Sequence, residues 1–169
     1  MDKYKKRHNA RVVAAQILYI SIMDHESLWH DSLRTLSTLE QTKNTVFELE
    51  FAKNLIETAL KDRDVFDNAL HPLMKNGIDS IPLIERAILW IACAELNQNP
   101  MLASKSVILN ESLNLIKELS DHKNVKFLNA LLDRYASSLS ISEAIIESVT
   151  ESTADSITEL AAESGSQPE

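Results

Sequence analysis

Residues 80–96 read SIPLIERAILWIACAEL, and this stretch decides the fold. Ser80 is a helix cap by type, Pro82 falls in the first turn, where its missing N–H leaves no bond unmade, and Glu85 sits near the positive end of the helix dipole. Ile84, Ile88, Leu89, Ile91, Ala92 and Leu96 follow at spacings that cover more than one face. A surface helix needs one apolar stripe only, so a helix this apolar is expected at the centre of a core. Cys93, the single cysteine, lies inside it, where a thiol is expected to pack as a small apolar side chain rather than act as a nucleophile. One cysteine makes no intrachain disulfide and no CxxC metal knuckle, and suits a reducing compartment.

Outward from this helix, apolar residues recur at helical spacing. Residues 8–23 place Val12, Ala15, Leu18, Tyr19 and Ile22 on one face. Ser27 is expected to cap a weaker helix carrying Leu28, Leu33, Leu36 and Leu39. Thr45 opens a strong one through Leu60, and a further helix through Val65, Phe66 and Leu70 is stopped by Asn76 and Gly77. Ser104 opens a helix with Val107, Ile108, Leu115 and Ile116, and residues 124–138 turn Phe127, Leu128, Leu131, Leu132 and Tyr135 inward. The chain of 169 residues has only two glycines, Gly77 and Gly165. That is too few for the loops of Rossmann or P-loop nucleotide sites and for the turns of a many-stranded β protein. The expected class is all-α. No apolar run approaches the roughly 18 residues of a membrane span, so no membrane association is expected and the expected location is cytoplasmic.

Charge divides the chain further. Lys3, Lys5, Lys6, Arg7 and Arg11 stand against Asp2 in residues 1–11, a net of +4 within a chain of net −8. Residues 143–169 carry seven acids and no Lys or Arg, with acids every four positions from Glu143 to Glu163 and Ile145, Val149, Ile157 and Ala161 in a parallel register. The organisation expected is a basic arm (1–11), a helical domain (8–140), and an acidic Ser/Thr-rich tail (141–169). A local basic cluster attracts phosphate on an acidic protein because attraction acts over about a Debye length of ~10 Å. Catalytic constellations are not found: the five histidines are scattered without an HxxxH pair, Glu48 and Glu50 face apart on a helix, and no serine stands in GxSxG. The expectation is a protein that is not an enzyme, with no catalytic residues, no metal and no cofactor.

Three motifs carry a resemblance. Ala10-Arg11-Val12-Val13-Ala14-Ala15-Gln16-Ile17-Leu18-Tyr19 follows the basic arm, Ile84-Glu85-Arg86-Ala87 runs on to Glu95-Leu96, and Asn110-Glu111 precedes Lys126-Phe127-Leu128-Asn129-Ala130-Leu131-Leu132-Asp133. In order and spacing over residues 5–138 the chain resembles the NusB family of transcription antitermination factors. The resemblance implies two three-helix subdomains packed crosswise and a function without catalysis. That function is binding of single-stranded boxA-like RNA, pairing with the NusE ribosomal protein, and support of rRNA transcription in the elongation complex. It carries RNA contacts onto Lys5, Lys6, Arg7, Arg11, Gln16, Tyr19, Lys126, Phe127 and Asn129, and a protein-partner contact onto Glu85. Lys/Arg on phosphates, aromatic stacking and amides on base edges are the means by which single-stranded RNA is held. The chain departs from the family pattern at Trp90 (usually Arg), Ala130 (Gly), Leu73 (often aromatic) and in the lysines of the arm. The alternatives are a related helical RNA-binding adaptor of other specificity, such as the domain fused to rRNA cytosine methyltransferases, and a purely structural helical interaction module. A stand-alone factor is the expectation among these.

Overall fold

A computed structural model of the chain describes residues 2–24, 28–38, 46–98 and 100–141. Among these residues every regular element is helical: α1 (Lys3–Met23), α2 (Trp29–Thr38), α3 (Leu49–Leu70), α4 (Leu83–Leu96), α5 (Lys105–Leu119) and α6, which opens at residue 125. Two 3-10 turns, His71–Leu73 and Ile78–Ser80, lead from α3 to α4, and a third, His122–Asn124, leads from α5 to α6. The chain divides into two units, Met1–Tyr135 and Ala136–Glu169. In the second unit residues 136–141 are described and are helical. The acidic register of the tail, the Ser27 cap and the Thr45 helix start lie outside the described residues.

The apolar helix is the centre of the first unit. From Ala87 to Leu96 every residue of α4 is buried, and α1, α3 and α5 all pack on it. Ala10, Ala14 and Ala15 of α1 are fully buried. With so little side chain between them, backbones of neighbouring helices approach closely, and long apolar residues such as Ile17, Leu18, Leu55, Ile88 and Leu115 fill the spaces beside them. Cys93 is wholly buried, and burial pushes its thiol pKa up, as befits a packed rather than a reactive sulfur.

Several local expectations change. Two helices expected over 45–73 are one 22-residue helix, α3, because the polar run Lys61-Asp62-Arg63-Asp64 contains no Gly or Pro and simply passes through solvent. Gly77 does not end a helix; it turns the chain between the two 3-10 segments at φ +74°, where a Cβ would come within 2.8 Å of the His71 ring. Ser80 turns its hydroxyl back to the Gly77 carbonyl at 2.7 Å, and Pro82 holds the cap position of α4. Trp90 is buried, and its indole N–H donates to Asp67 of α3 at 2.8 Å beside the Arg86–Asp67 ion pair at 2.5 Å, so this departure supplies a donor that ties α4 to α3. Ala130 lies exposed on α6, so its methyl group meets solvent.

The first residues are not a free arm, since α1 begins at Lys3 and Asp2 caps it by accepting from the Tyr4 N–H. What seats this helix is Arg11, which is 3% exposed and forms a two-pronged pair with Glu95 of α4 at 2.7 Å on each prong. Glu111 of α5, also buried, lies 3.6 Å from the same guanidinium and receives Tyr4 Oη–H and His8 Nδ1, the latter at 3.0 Å. The second ring nitrogen of His8 meets Glu118 at 2.9 Å. Burial by itself raises the pKa of Glu111, but hydrogen bonds from Tyr4, His8 and Asn114 and the charge of Arg11 outweigh it and hold the carboxyl below its ordinary value.

Removing one partner of a buried pair strands the other charge, so Arg11→Ala is expected to lower unfolding stability by about 3–5 kcal/mol. Lys5→Ala, on the surface, is expected within about 0.5 kcal/mol of wild type. Urea unfolding of the two variants checks the contrast, and a cost below about 1 kcal/mol for Arg11→Ala contradicts it. The lowered pKa of Glu111 gives a second expectation. Its charge contributes stability fully above the ordinary carboxylate value of 4.5, and that contribution is lost as the pH falls through the folded-state value. The stability gap between wild type and Glu111→Gln is therefore expected to be widest near neutral pH and to close in acid, and a gap independent of pH contradicts it.

Candidate nucleic-acid interface

The first two turns of α1 gather positive charge at a surface. Lys3 and Lys5 are exposed and Lys6 is half-buried, and none of the three has an ion pair among the described residues. They stand at a helix N-terminus, whose unpaired N–H groups add to the positive potential. Arg7 is more constrained. Its Nε donates to Glu48 at 3.1 Å, its Nη1 to the Leu102 carbonyl at 3.4 Å, and its guanidinium lies over the Phe51 ring, 4.9 Å from the centroid. Arg11 has to be withdrawn from the RNA-contact set. Its guanidinium is spent on Glu95 inside the protein, one to two turns below the lysines, where no phosphate reaches it.

Lys5, Gln16 and Tyr19 fall on one stripe of α1, the partly or fully exposed positions 5, 9, 12, 16, 19 and 23. Tyr19, 38% exposed, is fourteen residues beyond Lys5, a rise of about 21 Å along the helix. The structure thus brings these three onto one face while spreading them along its length.

Lys126, Phe127 and Asn129 stand on α6. Lys126 is exposed, Asn129 donates to Asp133 at 3.3 Å, and Phe127 is 45% exposed, which corrects the expectation that its ring turns inward with Leu128 and Leu131. Phe127 lines a cleft of about 250 Å³ together with Lys75, Asn76 and Asn124. Glu85 borders this cleft but is not a surface residue. It is 1% exposed, and its carboxylate accepts from Ser120 at 2.6 Å and Asn124 at 2.9 Å. Glu85 therefore fixes the turn that leads into α6 and presents little of itself to a protein partner, a second correction. The lysine turns and the Phe127 cleft meet the same end of α5: His8 binds Glu118, and two residues on Ser120 binds Glu85.

Glu95 and Glu111 stand inside the sequence motifs, and the resemblance assigns them no role. The signal was present, because an acid flanked by Cys93, Ala94 and Leu96 on an apolar helix is almost never buried unpaired. Phe51 of α3 is buried, and both the Arg7 and Arg11 guanidinium groups lie within about 5 Å of its ring, at 4.9 and 5.1 Å.

Known proteins give this geometry a context. The NusB family model matches residues 8–137. The transcription antitermination protein NusB of Psychromonas ingrahamii is 28% identical over 141 residues, covering 83% of this chain and 94% of that protein. That of Methylococcus capsulatus is 34% identical over 89 residues, 53% of this chain and 44% of that protein. Among solved structures, a chain from the crystal structure of antitermination factors NusB and NusE in complex with dsRNA superposes with a TM-score of 0.67. It is 24% identical and covers 82% of this chain and 99% of that one. The T. maritima NusB structure gives 0.66 at 18% identity over 78% and 90%. The fold of α1–α6 is thus that of the solved NusB proteins, and with the family model spanning the helical body from His8 to Ser137, this chain belongs to the NusB family.

Proposed function

We propose that the chain is a non-catalytic, cytoplasmic RNA-binding factor of transcription antitermination. It holds boxA-like single-stranded RNA together with the NusE ribosomal protein within the elongation complex and supports rRNA transcription. The observation that carries this reading is the set of lysines on the first two turns of α1 that have no ion pair among the described residues, on a helix seated by the buried Arg11–Glu95 pair. Antitermination is the named role of the curated relatives, and one solved neighbour is described with NusE and RNA. Tyr19 and Phe127, both exposed aromatics, favour unpaired strands, because stacking on a side chain requires a base that is free of its own helix. No helix among the described residues is long and apolar enough to cross a membrane.

Equilibrium binding of a boxA-like RNA, with and without NusE and against a duplex of the same sequence, tests the reading. Tighter binding of the single strand, strengthened by NusE, is expected; no binding at low salt contradicts it. Replacing Lys3, Lys5 and Lys6 together by Ala removes three phosphate partners. It is expected to flatten the slope of log K against log salt by about 2, from about 0.7 per contact on single strands. Phe127→Ala is expected to weaken RNA binding by roughly 1–3 kcal/mol while leaving unfolding stability close to wild type. A loss of stability of about 3 kcal/mol or more assigns the ring to the core instead.

A further inference from the structure

A cleft of about 380 Å³ opens beside Arg7, between α1, the start of α3 and the segment after α4. It is at the small end of ligand pockets, which span roughly 300–1,000 Å³. The Phe51 ring lines it, and its one cation among the described residues is Arg7, fixed by Glu48, the Leu102 carbonyl and that ring. Two amides, Asn54 and Gln98, line the same cleft. Gln98 Nε2 donates to Asn54 Oδ1 at 2.7 Å, which occupies one end of the Gln98 amide. The other end, Gln98 Oε1, is the buried side-chain oxygen that has no hydrogen-bond partner among the described residues. A buried acceptor left unmade is costly, and a ligand N–H that reaches it recovers that cost.

Resting on the RNA-binding reading above, we propose that this cleft receives one guanine base of the bound strand. Glu48 and Gln98 Oε1 accept from its N1–H and 2-amino group, and Arg7 donates to O6. The chemistry of the lining selects the base. A phosphate is disfavoured because Arg7 is already neutralised by Glu48, and the lysines that suit phosphate stand on the neighbouring turns of α1. The remaining groups are mostly acceptors beside one donor. Guanine offers two adjacent donors next to one acceptor on its Watson–Crick edge. Uracil offers one donor between two acceptors, and adenine and cytosine set a ring acceptor beside the amine, which would face a carboxylate. With Nε held by Glu48 and Nη1 by the Leu102 carbonyl, Arg7 is fixed in place and keeps its Nη2 donors for O6. The cleft also adjoins the phosphate-binding turns directly: the Glu48 N–H donates to the Lys6 carbonyl at 3.3 Å.

The test uses the full chain and three RNA dodecamers: all-uridine, the same with one central guanosine, and the same with one central inosine, which lacks the 2-amino group. The guanosine dodecamer is expected to bind at least about fivefold tighter than all-uridine, with inosine between them. In Glu48→Gln and in Gln98→Ala the guanosine-to-uridine ratio is expected to fall below about twofold. Equal binding of the guanosine and uridine dodecamers overturns the guanine site and leaves the RNA reading standing, whereas failure of all three to bind at low salt overturns both. A ratio undiminished in the two variants places guanine elsewhere and overturns the proposal. Photocrosslinking with 6-thioguanosine at the central position gives a readout on the unaltered protein. Attachment to a peptide containing Phe51 or Gln98 supports the site, and attachment only to peptides containing Tyr19 or Phe127 overturns it.

Discussion

The Arg11–Glu95 pair is the constraint on which the arrangement depends. Both side chains are 3% exposed, and two charges taken that far from water are tolerated only in good geometry with their remaining polar atoms satisfied. The two-pronged bond at 2.7 Å provides the geometry, and Glu111, with Tyr4, His8 and Asn114 upon it, completes the set. Because Glu95 belongs to α4 and Glu111 to α5, the pair sets the rotation of α1 about its own axis. With Arg11 inward, the stripe through Lys5, Gln16 and Tyr19 faces out. A buried pair of this kind adds little net stability over an apolar substitute, and its value here lies in allowing one orientation of a helix whose small residues would otherwise slide.

This orientation explains how a chain of net −8 presents a surface for a polyanion. The acids nearest the basic turns are engaged: Glu48 with Arg7, Glu95 with Arg11, Glu111 and Glu118 with His8. What remains outward on the first turns of α1 is lysine at a helix N-terminus. Lysine is a point charge that holds phosphate without reading sequence, and in the proposed function base discrimination falls to fixed groups nearby, the Arg7 cleft and the amides and ring near Phe127. The last turn of α5 joins these regions, through Glu118 on one side and Ser120 on the other.

Much of the fold was legible in the sequence because the signals were local. The central place of α4 followed from apolar residues on more than one face, and Pro82 marked its start to within a residue. Ser80 misled because a serine caps whatever turn it stands in, and here that turn is the 3-10 segment before the helix. The break expected in α3 rested on a pause in apolar periodicity, which a helix crosses freely when no Gly or Pro interrupts it. The site was less legible. Lys5 and Arg11 look alike in a basic run, and only the neighbours brought by other helices, Glu95 and Glu111, make one a surface charge and the other an internal strut. Glu85 was expected in the first helical turn as a contact for a protein partner, but Ser120 and Asn124 arrive from more than thirty residues away to cover it.

In the proposed function Arg11 orients α1 from within while the lysines above it meet the RNA. Residue-resolved NMR on the full chain, titrated with a boxA-like single strand, tests this most directly through the amides of α1 and the guanidinium Nε–H of Arg11. Shifts are expected at Lys3, Lys5 and Lys6 and around Phe127, with the Arg11 Nε–H signal unmoved because its bond to Glu95 persists. Displacement of the Arg11 signal by RNA, with the amides of the first two turns unchanged, would contradict it.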